Sequence, residues 1–183
     1  NLALKNAESA LRRAMLRDAR TDEALDRLQE LARLPRRPRH IECFDNSNIQ
    51  GTDPVASQVV FIDGIPQKQR YRRYNVRSVQ GPDDYATMRE ILERRIKRSR
   101  KSDAKATDVL PDLIVVDGGK GQVSVVRAVL ADLGCHDLSV VGLAKPRVEH
   151  ARGERFAVDK IVVPGIKDPI RLRSNDPVLM LLQ

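Results

Sequence analysis

The apolar run Leu113–Val116 is the clearest hydrophobic pattern in the chain. It is continuous rather than alternating and it follows Pro111, which is typical of a strand buried inside a parallel sheet. Asp117 closes the run at the carboxyl end of the strand, where ligands collect in open α/β sheets. A weaker run, Ile41–Ser47, carries Asp45 at or near its own end. The pattern therefore predicts two strands that each carry an aspartate at the carboxyl end.

Further strands are predicted between these two runs. Residues Val55–Ile62 form a strand-like stretch, and Asp63–Gly64 follows, the dipeptide that type I′ hairpin turns prefer. The next stretch, Gln67–Arg77, is highly charged and suits the edge of a sheet. If it is an edge, the only buried place left for the Asp117 strand is the free side of the Asp45 strand. This order would place Asp45 and Asp117 side by side.

Helical spacing of apolar residues predicts the flanking helices. Residues 6–34 are interpreted as two helices or one bent helix, with Thr21 as an N-cap. The proline-rich residues 34–39 then separate a helical appendage, residues 1–39, from a main α/β domain, residues 40–183. Later helices are predicted to begin at Gly81–Asp84, to span Gln122–Leu133 before Gly134, and to begin at Pro177; short strands are predicted at Leu138–Leu143, Ile161–Val163 and Ile170–Leu172.

The composition favours a polyanionic partner. The 183 residues carry a formal charge of +8, with 33 Lys and Arg residues, which suits nucleic acid, although a solvated basic surface is an open alternative. There is no Trp and aromatic residues make up 3% of the chain, so contacts to phosphates rather than base stacking would provide the affinity. Arg89, Arg94 and Arg98, on the charged face of the helix that begins near Asp84, are candidate DNA contacts or simply solvated.

Cysteine and histidine offer little further chemistry. Cys43 and Cys135 do not form a disulfide framework, so we expect a reducing, cytoplasmic location. No apolar segment approaches the roughly 20 residues of a membrane span, so no membrane partner is expected. The histidines His40, His136 and His150 lack metal-ligand spacing, and we expect them to be solvent-exposed bystanders.

The two aspartates predict a metal site if their strands are neighbours. Close carboxylates repel each other unless a cation lies between them, and their hard oxygens favour Mg²⁺ or Mn²⁺ over zinc. Such a metal can activate water for attack on a phosphodiester. Lys120 and the glycine amides of Gly118–Gly121 follow at the predicted start of a helix, where an anion is stabilised. The alternative for Asp45 is an ordinary strand-end turn. The glycine-rich turn lacks the spacing of a mononucleotide loop.

Several separate blocks together resemble one family. FDNSNIQGTDPVAS, the run from YRRYNV to GPDDYATMREILERR, PDLIVVDGGKGQ, VVGLAK and NDPVLMLLQ occur in this order. They are similar to the C-terminal half of the UvrC family, the nuclease component of the bacterial excinuclease ABC. The resemblance covers about Ile41 to Gln183. It implies an RNase H-like mixed sheet of three antiparallel strands and a strand-helix-strand unit, flanked by helices.

The resemblance also implies an activity. Members of the family cut damaged double-stranded DNA on the 5′ side of the lesion with a divalent metal and an Asp, Asp, His set. The two acids fall on Asp45 and Asp117, as catalytic residues and metal ligands, and Lys145 in the VVGLAK block joins Lys120 as a candidate DNA contact. This chain has Asn48 where many members have His. The catalytic His of the family lies beyond NDPVLMLLQ, so we expect a fragment that binds DNA but cuts poorly or not at all, and that meets the damage-verifying excinuclease component UvrB through regions absent here.

Two alternatives belong to other functional classes. A DNA-binding or protein-docking module with the same sheet and no catalysis would have Asp45 and Asp117 far apart or bonded to Arg or Lys side chains. A nucleotide-binding domain would use Gly118–Gly121 and Lys120 to bind ATP or GTP.

Overall fold

The computed structural model describes residues 2–47, 55–76, 79, 83–145 and 159–182 of the chain. Its helices and strands are α1 (Leu2–Ala32), β1 (His40–Ser47), β2 (Val55–Ile62), β3 (Ile65–Pro66), β4 (Arg72–Asn75), α2 (Asp84–Ser99), β5 (Leu113–Asp117), α3 (Lys120–Asp132), β6 (Ser139–Ala144), β7 (Lys160–Val162), β8 (Ile170–Arg171) and α4 (Pro177–Leu182). Short 3₁₀ helices at Lys68–Arg70 and Ala106–Asp108 interrupt the connections.

The strands form one mixed sheet in the order β3-β2-β1-β5-β6-β7-β8, and β4 also pairs with β2. Strands β1 and β2 are antiparallel, whereas β1, β5 and β6 run parallel to one another. The predicted position of β5 on the free side of β1 is therefore confirmed. The charged strand β4 lies at the edge beside β2, as its sequence predicts.

The sheet separates two hydrophobic clusters. On one face, Phe44, Ile114 and Val116 pack with the apolar stripes of α2 and α3. On the other face, alternate strand residues such as Ile41 and Val115 pack with the second half of α1 and with α4. Because side chains alternate along a strand, each strand position can be assigned to one of these two faces.

Some local predictions are confirmed and others are wrong. Asp63 and Gly64 both have positive φ, 49° and 73°, as a type I′ turn requires. The third strand predicted at Gln67–Arg77 is shorter than expected, because a 3₁₀ turn occupies Lys68–Arg70 and, among the residues described there, only β4, Arg72–Asn75, is a strand. Of the two alternatives for residues 6–34, two helices or one, the structure has a single helix, α1, over Leu2–Ala32. Thr21 is not an N-cap, because its hydroxyl donates to the carbonyl oxygen of Arg17 inside α1, at 3.0 Å.

A buried ion pair ties α2 to β1. Arg95 and Glu42 are 2% and 1% exposed, and Arg95 Nη2 lies 2.7 Å from Glu42 Oε1. His40 Nε2 lies 3.1 Å from the same oxygen. His40 is therefore not the exposed bystander that the sequence suggested. His136 is exposed, and His150 lies outside the described residues.

The loop between α2 and β5 is held by the same arginine. Arg95 donates to the backbone carbonyl oxygens of Asp108 and Val109, at 2.9 and 2.7 Å. Burial alone would raise the pKa of Glu42, but the bonds from His40 and Arg95 outweigh that effect and lower it. The pair therefore joins β1, α2 and the loop before β5 at one end of the sheet.

Candidate metal and nucleic-acid site

Asp45 and Asp117 lie on neighbouring parallel strands, Asp117 at the last position of β5 and Asp45 two residues before the end of β1. The pairing of β1 with β5 runs up to Phe44 opposite Val116, so each aspartate is the next residue on its strand. Adjacent strands lie about 4.8 Å apart. Phe44 and Val116 face the α2 and α3 cluster, and alternation therefore points both aspartates to the opposite face. Both residues are exposed there.

Lys145 lies directly beside this pair of carboxylates. Its Nζ is 2.7 Å from Asp117 Oδ2, and the two side chains are 71% and 32% exposed. The bond to Asp117 raises the pKa of Lys145, and smaller Coulombic contributions come from Asp45 and Asp159. The ammonium group is thus within electrostatic range of three carboxylates on the same edge of the sheet.

The donors at this edge fit a hard divalent cation. Mg²⁺ typically binds proteins through one or two carboxylates and completes its shell with waters and substrate phosphates. Asp45 and Asp117 supply two such carboxylates. The positively charged ammonium group of Lys145 already lies against one of them, Asp117. Among the described residues, no group of three or more His, Cys, Asp and Glu is arranged to hold a metal. The fit to a divalent cation therefore depends on the carboxylates of Asp45 and Asp117.

A tight glycine turn connects Asp117 to α3. The amide of Gly118 donates to the carbonyl oxygen of Leu143 at 3.0 Å. A Cβ on Gly142 would lie only 2.5 Å from the Gly118 oxygen, so β6 needs glycine at this point to approach the turn. Gly119 is the N-cap residue of α3. The turn therefore fixes where the first amides of α3 lie relative to Asp117.

The chain matches the family described as the UvrC RNAse H endonuclease domain over residues 29–183. It therefore belongs to this family. UvrABC system protein C from Geobacter metallireducens is 45% identical over 99% of this chain, and the one from Gloeobacter violaceus is 42% identical over 100%. The chain spans only 29% and 27% of the length of these two relatives.

The fold of this UvrC-family domain is the RNase H-like mixed sheet that the resemblance implied. Among solved structures, the chain is similar to Endonuclease V from Ciona intestinalis, with a TM-score of 0.43 and 14% identity, over 75% of this chain and 72% of that one. None of the helices in the described parts of the chain is long and apolar enough to cross a membrane.

The basic residues predicted to contact DNA lie in different places. Lys120 is exposed at the first position of α3, close to Asp117, and its ammonium group donates to the carbonyl oxygen of Lys167. Lys145 contacts Asp117 itself. Lys120 and Lys145 therefore both lie at the end of the sheet that carries Asp117.

The α2 arginines are engaged in ion pairs. Arg89 contacts Glu93 and Asp132, Arg94 contacts Glu90, and Arg98 contacts Asp108 at 3.1 Å. Asp108 lies just before β5, at the end of the sheet opposite Asp117, so Arg98 is remote from the carboxylate pair. The N-terminal end of α2 instead contacts the first turn of α3, where Asp84 accepts a hydrogen bond from Gln122 at 2.7 Å.

The structure supports parts of both competing hypotheses. Neighbouring strands for Asp45 and Asp117 are what a nuclease requires. The Lys145–Asp117 ion pair is what the non-catalytic alternative predicts. Sequence reasoning named Lys145 only as a DNA contact and missed its bond to Asp117. The sequence could have predicted this bond. Lys145 comes after the apolar run of β6 and Asp117 comes after the apolar run of β5, so both lie at the same end of adjacent parallel strands.

Proposed function

We propose that this domain is a metal-dependent endodeoxyribonuclease of nucleotide excision repair, which hydrolyses a phosphodiester of damaged double-stranded DNA on the 5′ side of the lesion. Asp45 and Asp117 are the proposed catalytic residues and metal ligands, and the ion is Mg²⁺ or Mn²⁺. The observation that supports this proposal is the position of the two aspartates on adjacent strands, each directly after the last paired residues of β1 and β5, Phe44 and Val116.

The chemistry follows from the charges at this edge. A divalent ion bound there would activate water and neutralise charge on the phosphodiester under attack. Asp45 and Asp117 would hold and orient the ion through carboxylate oxygens. Lys145, with a pKa raised by its bond to Asp117, stays protonated and can contact a phosphate oxygen. Lys120 and the first amides of α3 lie where a helix stabilises an anion.

The partners follow from the relatives rather than from this domain. Both relatives are named UvrABC system protein C and are more than three times as long as this chain. We propose that such longer proteins bind the excinuclease component UvrB through regions other than this domain. Arg89, Arg94 and Arg98 would bind DNA only after exchanging their carboxylate partners for phosphates. Both Cys43 and Cys135 are free thiols, which supports a cytoplasmic location.

A plasmid-nicking assay tests the proposed activity. We expect slow conversion of supercoiled to open-circular plasmid with Mn²⁺, none with EDTA, and none for either Asp45→Asn or Asp117→Asn. Both variants are nearly isosteric and lie at exposed positions, so their folding can be verified by circular dichroism. Nicking that persists in both variants would assign the activity to another site or to a contaminating enzyme, and would refute the proposal.

A further inference from the structure

A row of exposed polar residues crosses the sheet from Asp45 to the β4 edge. Asp45 on β1 pairs with Ser57 on β2, and Ser57 pairs with Arg73 on β4. Residues directly opposite each other on paired strands point to the same face of a sheet. Asp45, Ser57 and Arg73 are all exposed. Arg73 therefore lies on the face that carries the two aspartates.

Arg73 differs from the α2 arginines because it has no acidic partner among the described residues. It makes no ion pair and no side-chain hydrogen bond with any residue that the structure describes. An arginine with an unengaged guanidinium, held on a strand rather than a loop, is well suited to bind a phosphate bidentately. The hydroxyl of Ser57, in the next strand of the row, can donate a second hydrogen bond.

We propose that Arg73, assisted by Ser57, forms a phosphate-binding subsite for the DNA strand that passes Asp45 and Asp117. The inference builds on the proposed nuclease function, because it specifies where that site holds its substrate. Two inter-strand spacings separate Arg73 from Asp45, or about 10 Å between Cα atoms. At a rise of about 3.4 Å per nucleotide, this distance corresponds to about three nucleotides along one DNA strand. The strand would therefore cross β1, β2 and β4 roughly along the row.

A simpler explanation for Arg73 is protection of an exposed sheet edge. Charged residues on edge strands prevent pairing with other chains, and this role would not require a particular face. Arg72 provides a matched control because it is the preceding residue on β4 and is also exposed. It pairs with Gln58 on the opposite face, and its Nη1 donates to the carbonyl oxygen of Tyr71 at 3.2 Å. If the arginines only protect the edge, substituting Arg72 or Arg73 should change DNA binding equally. If Arg73 forms a phosphate subsite, only its substitution should weaken DNA binding.

The test compares Arg73→Gln, Arg73→Lys and Arg72→Gln with the parent chain. Binding to a fluorescein-labelled duplex of about 30 base pairs, long enough to span the row several times over, is measured by anisotropy over a salt series, with Ca²⁺ in place of a catalytic metal. We expect Arg73→Gln to weaken binding by about tenfold at low salt and to reduce the log–log salt slope by about 0.9, the value of one lost phosphate contact. Arg73→Lys should keep the slope and lose part of the affinity, and Arg72→Gln should match the parent chain in slope.

A methylphosphonate scan of the duplex provides an independent readout. Neutralising the phosphate that Arg73 contacts should weaken binding by the parent chain but not by Arg73→Gln. Equal salt slopes for Arg73→Gln and Arg72→Gln would overturn the subsite. Thermal melts of both variants check that the fold is intact.

The outcomes for the subsite and for the nuclease can be separated. If Arg73→Gln binds like the parent chain while Asp45→Asn abolishes nicking, the subsite is refuted and the nuclease function stands. If nicking survives in Asp45→Asn and Asp117→Asn while Arg73→Gln loses one unit of salt slope, the nuclease function is refuted and Arg73 is a phosphate contact of a DNA-binding module.

Discussion

Lys145 donates a hydrogen bond to Asp117, with Nζ 2.7 Å from Oδ2, at the carboxyl end of β5, where the neighbouring strand β1 carries Asp45. Two close carboxylates need a positive charge between or beside them. Lys145 supplies that charge in this structure. A divalent ion that binds Asp45 and Asp117 would compete with the ammonium group for the same oxygens.

Replacing Lys145 by Met should therefore strengthen metal binding. The substitution keeps the length of the side chain and removes the charge that competes for Asp117. Exposed ion pairs of this kind contribute up to about 1 kcal/mol, so Mn²⁺ affinity should rise by no more than about fivefold in isothermal titration calorimetry. Lys101→Met is the control, because Lys101 is exposed in the turn after α2 and its substitution removes the same net charge elsewhere. Equal Mn²⁺ affinity for the two variants would show that Lys145 does not compete with metal.

The position of β5 in the sheet could be predicted because the charged residues of β4 restrict that strand to an edge. Arg72 and Arg73 make β4 unsuitable for a central strand, so the apolar β5 had to pair with the free side of β1. The Asp63–Gly64 turn was predictable because both residues must adopt positive φ and few other dipeptides do so readily. These two constraints place Asp45 and Asp117 next to each other.

The buried Arg95 could not be assigned in the same way. Its position falls within the apolar stripe of α2, between Ile91 and Ile96, but a charged residue in a stripe is most often at its solvated border. Its partner, Glu42, lies more than fifty residues earlier, in an otherwise apolar strand. Only the packing of α2 on β1 brings the two together. The choice between two helices and one for residues 6–34 was open for a similar reason, because the second half of α1 is stabilised by tertiary contacts with the sheet and α4.

Substituting Glu42 by Gln should destabilise the domain strongly. The variant keeps the shape of the side chain but leaves Arg95, 2% exposed, with an uncompensated positive charge. Breaking one partner of a buried pair typically costs about 3–5 kcal/mol, which urea denaturation would measure as a lower midpoint. Glu93→Gln is the control, since Glu93 pairs with Arg89 at the surface, and it should leave the midpoint unchanged. A Glu42→Gln midpoint equal to that of the parent chain would contradict a structural role for the pair.

The same pair should make stability depend on acid pH. The bonds from His40 and Arg95 lower the pKa of Glu42 in the folded state, so the unfolded chain takes up this proton at higher pH than the folded chain. The stabilisation is therefore complete above the usual glutamate pKa of about 4.3 and is lost as pH falls through the lowered folded value. Urea midpoints of the parent chain and Glu42→Gln should converge over this interval. A difference between the two that stays constant down to about pH 3 would refute this assignment.

Gly142 should be required for the geometry of the turn after Asp117. An alanine Cβ there would lie 2.5 Å from the Gly118 oxygen and 2.7 Å from Val123 Cγ2, so the turn must move. Overpacking of this kind costs about 1–3 kcal/mol, and we expect Gly142→Ala to lower the thermal midpoint and to weaken Mn²⁺ binding. The matched control is Gly121→Ala, because Gly121 lies in the first turn of α3 with no described atom within 4 Å of the added Cβ. This control should be neutral or slightly stabilising, and equal effects of the two substitutions would contradict the packing argument.

Calorimetric titration of Mn²⁺ into the chain is the most direct test of the shared metal site. If Asp45 and Asp117 bind one ion together, the parent chain should show one saturable event, and both Asp45→Asn and Asp117→Asn should lose it. Both variants should remain folded, because each removes a repelling charge and the exposed ion pair with Lys145 that Asp117→Asn also removes contributes up to about 1 kcal/mol. Saturable Mn²⁺ binding of unchanged affinity in both variants would contradict the account.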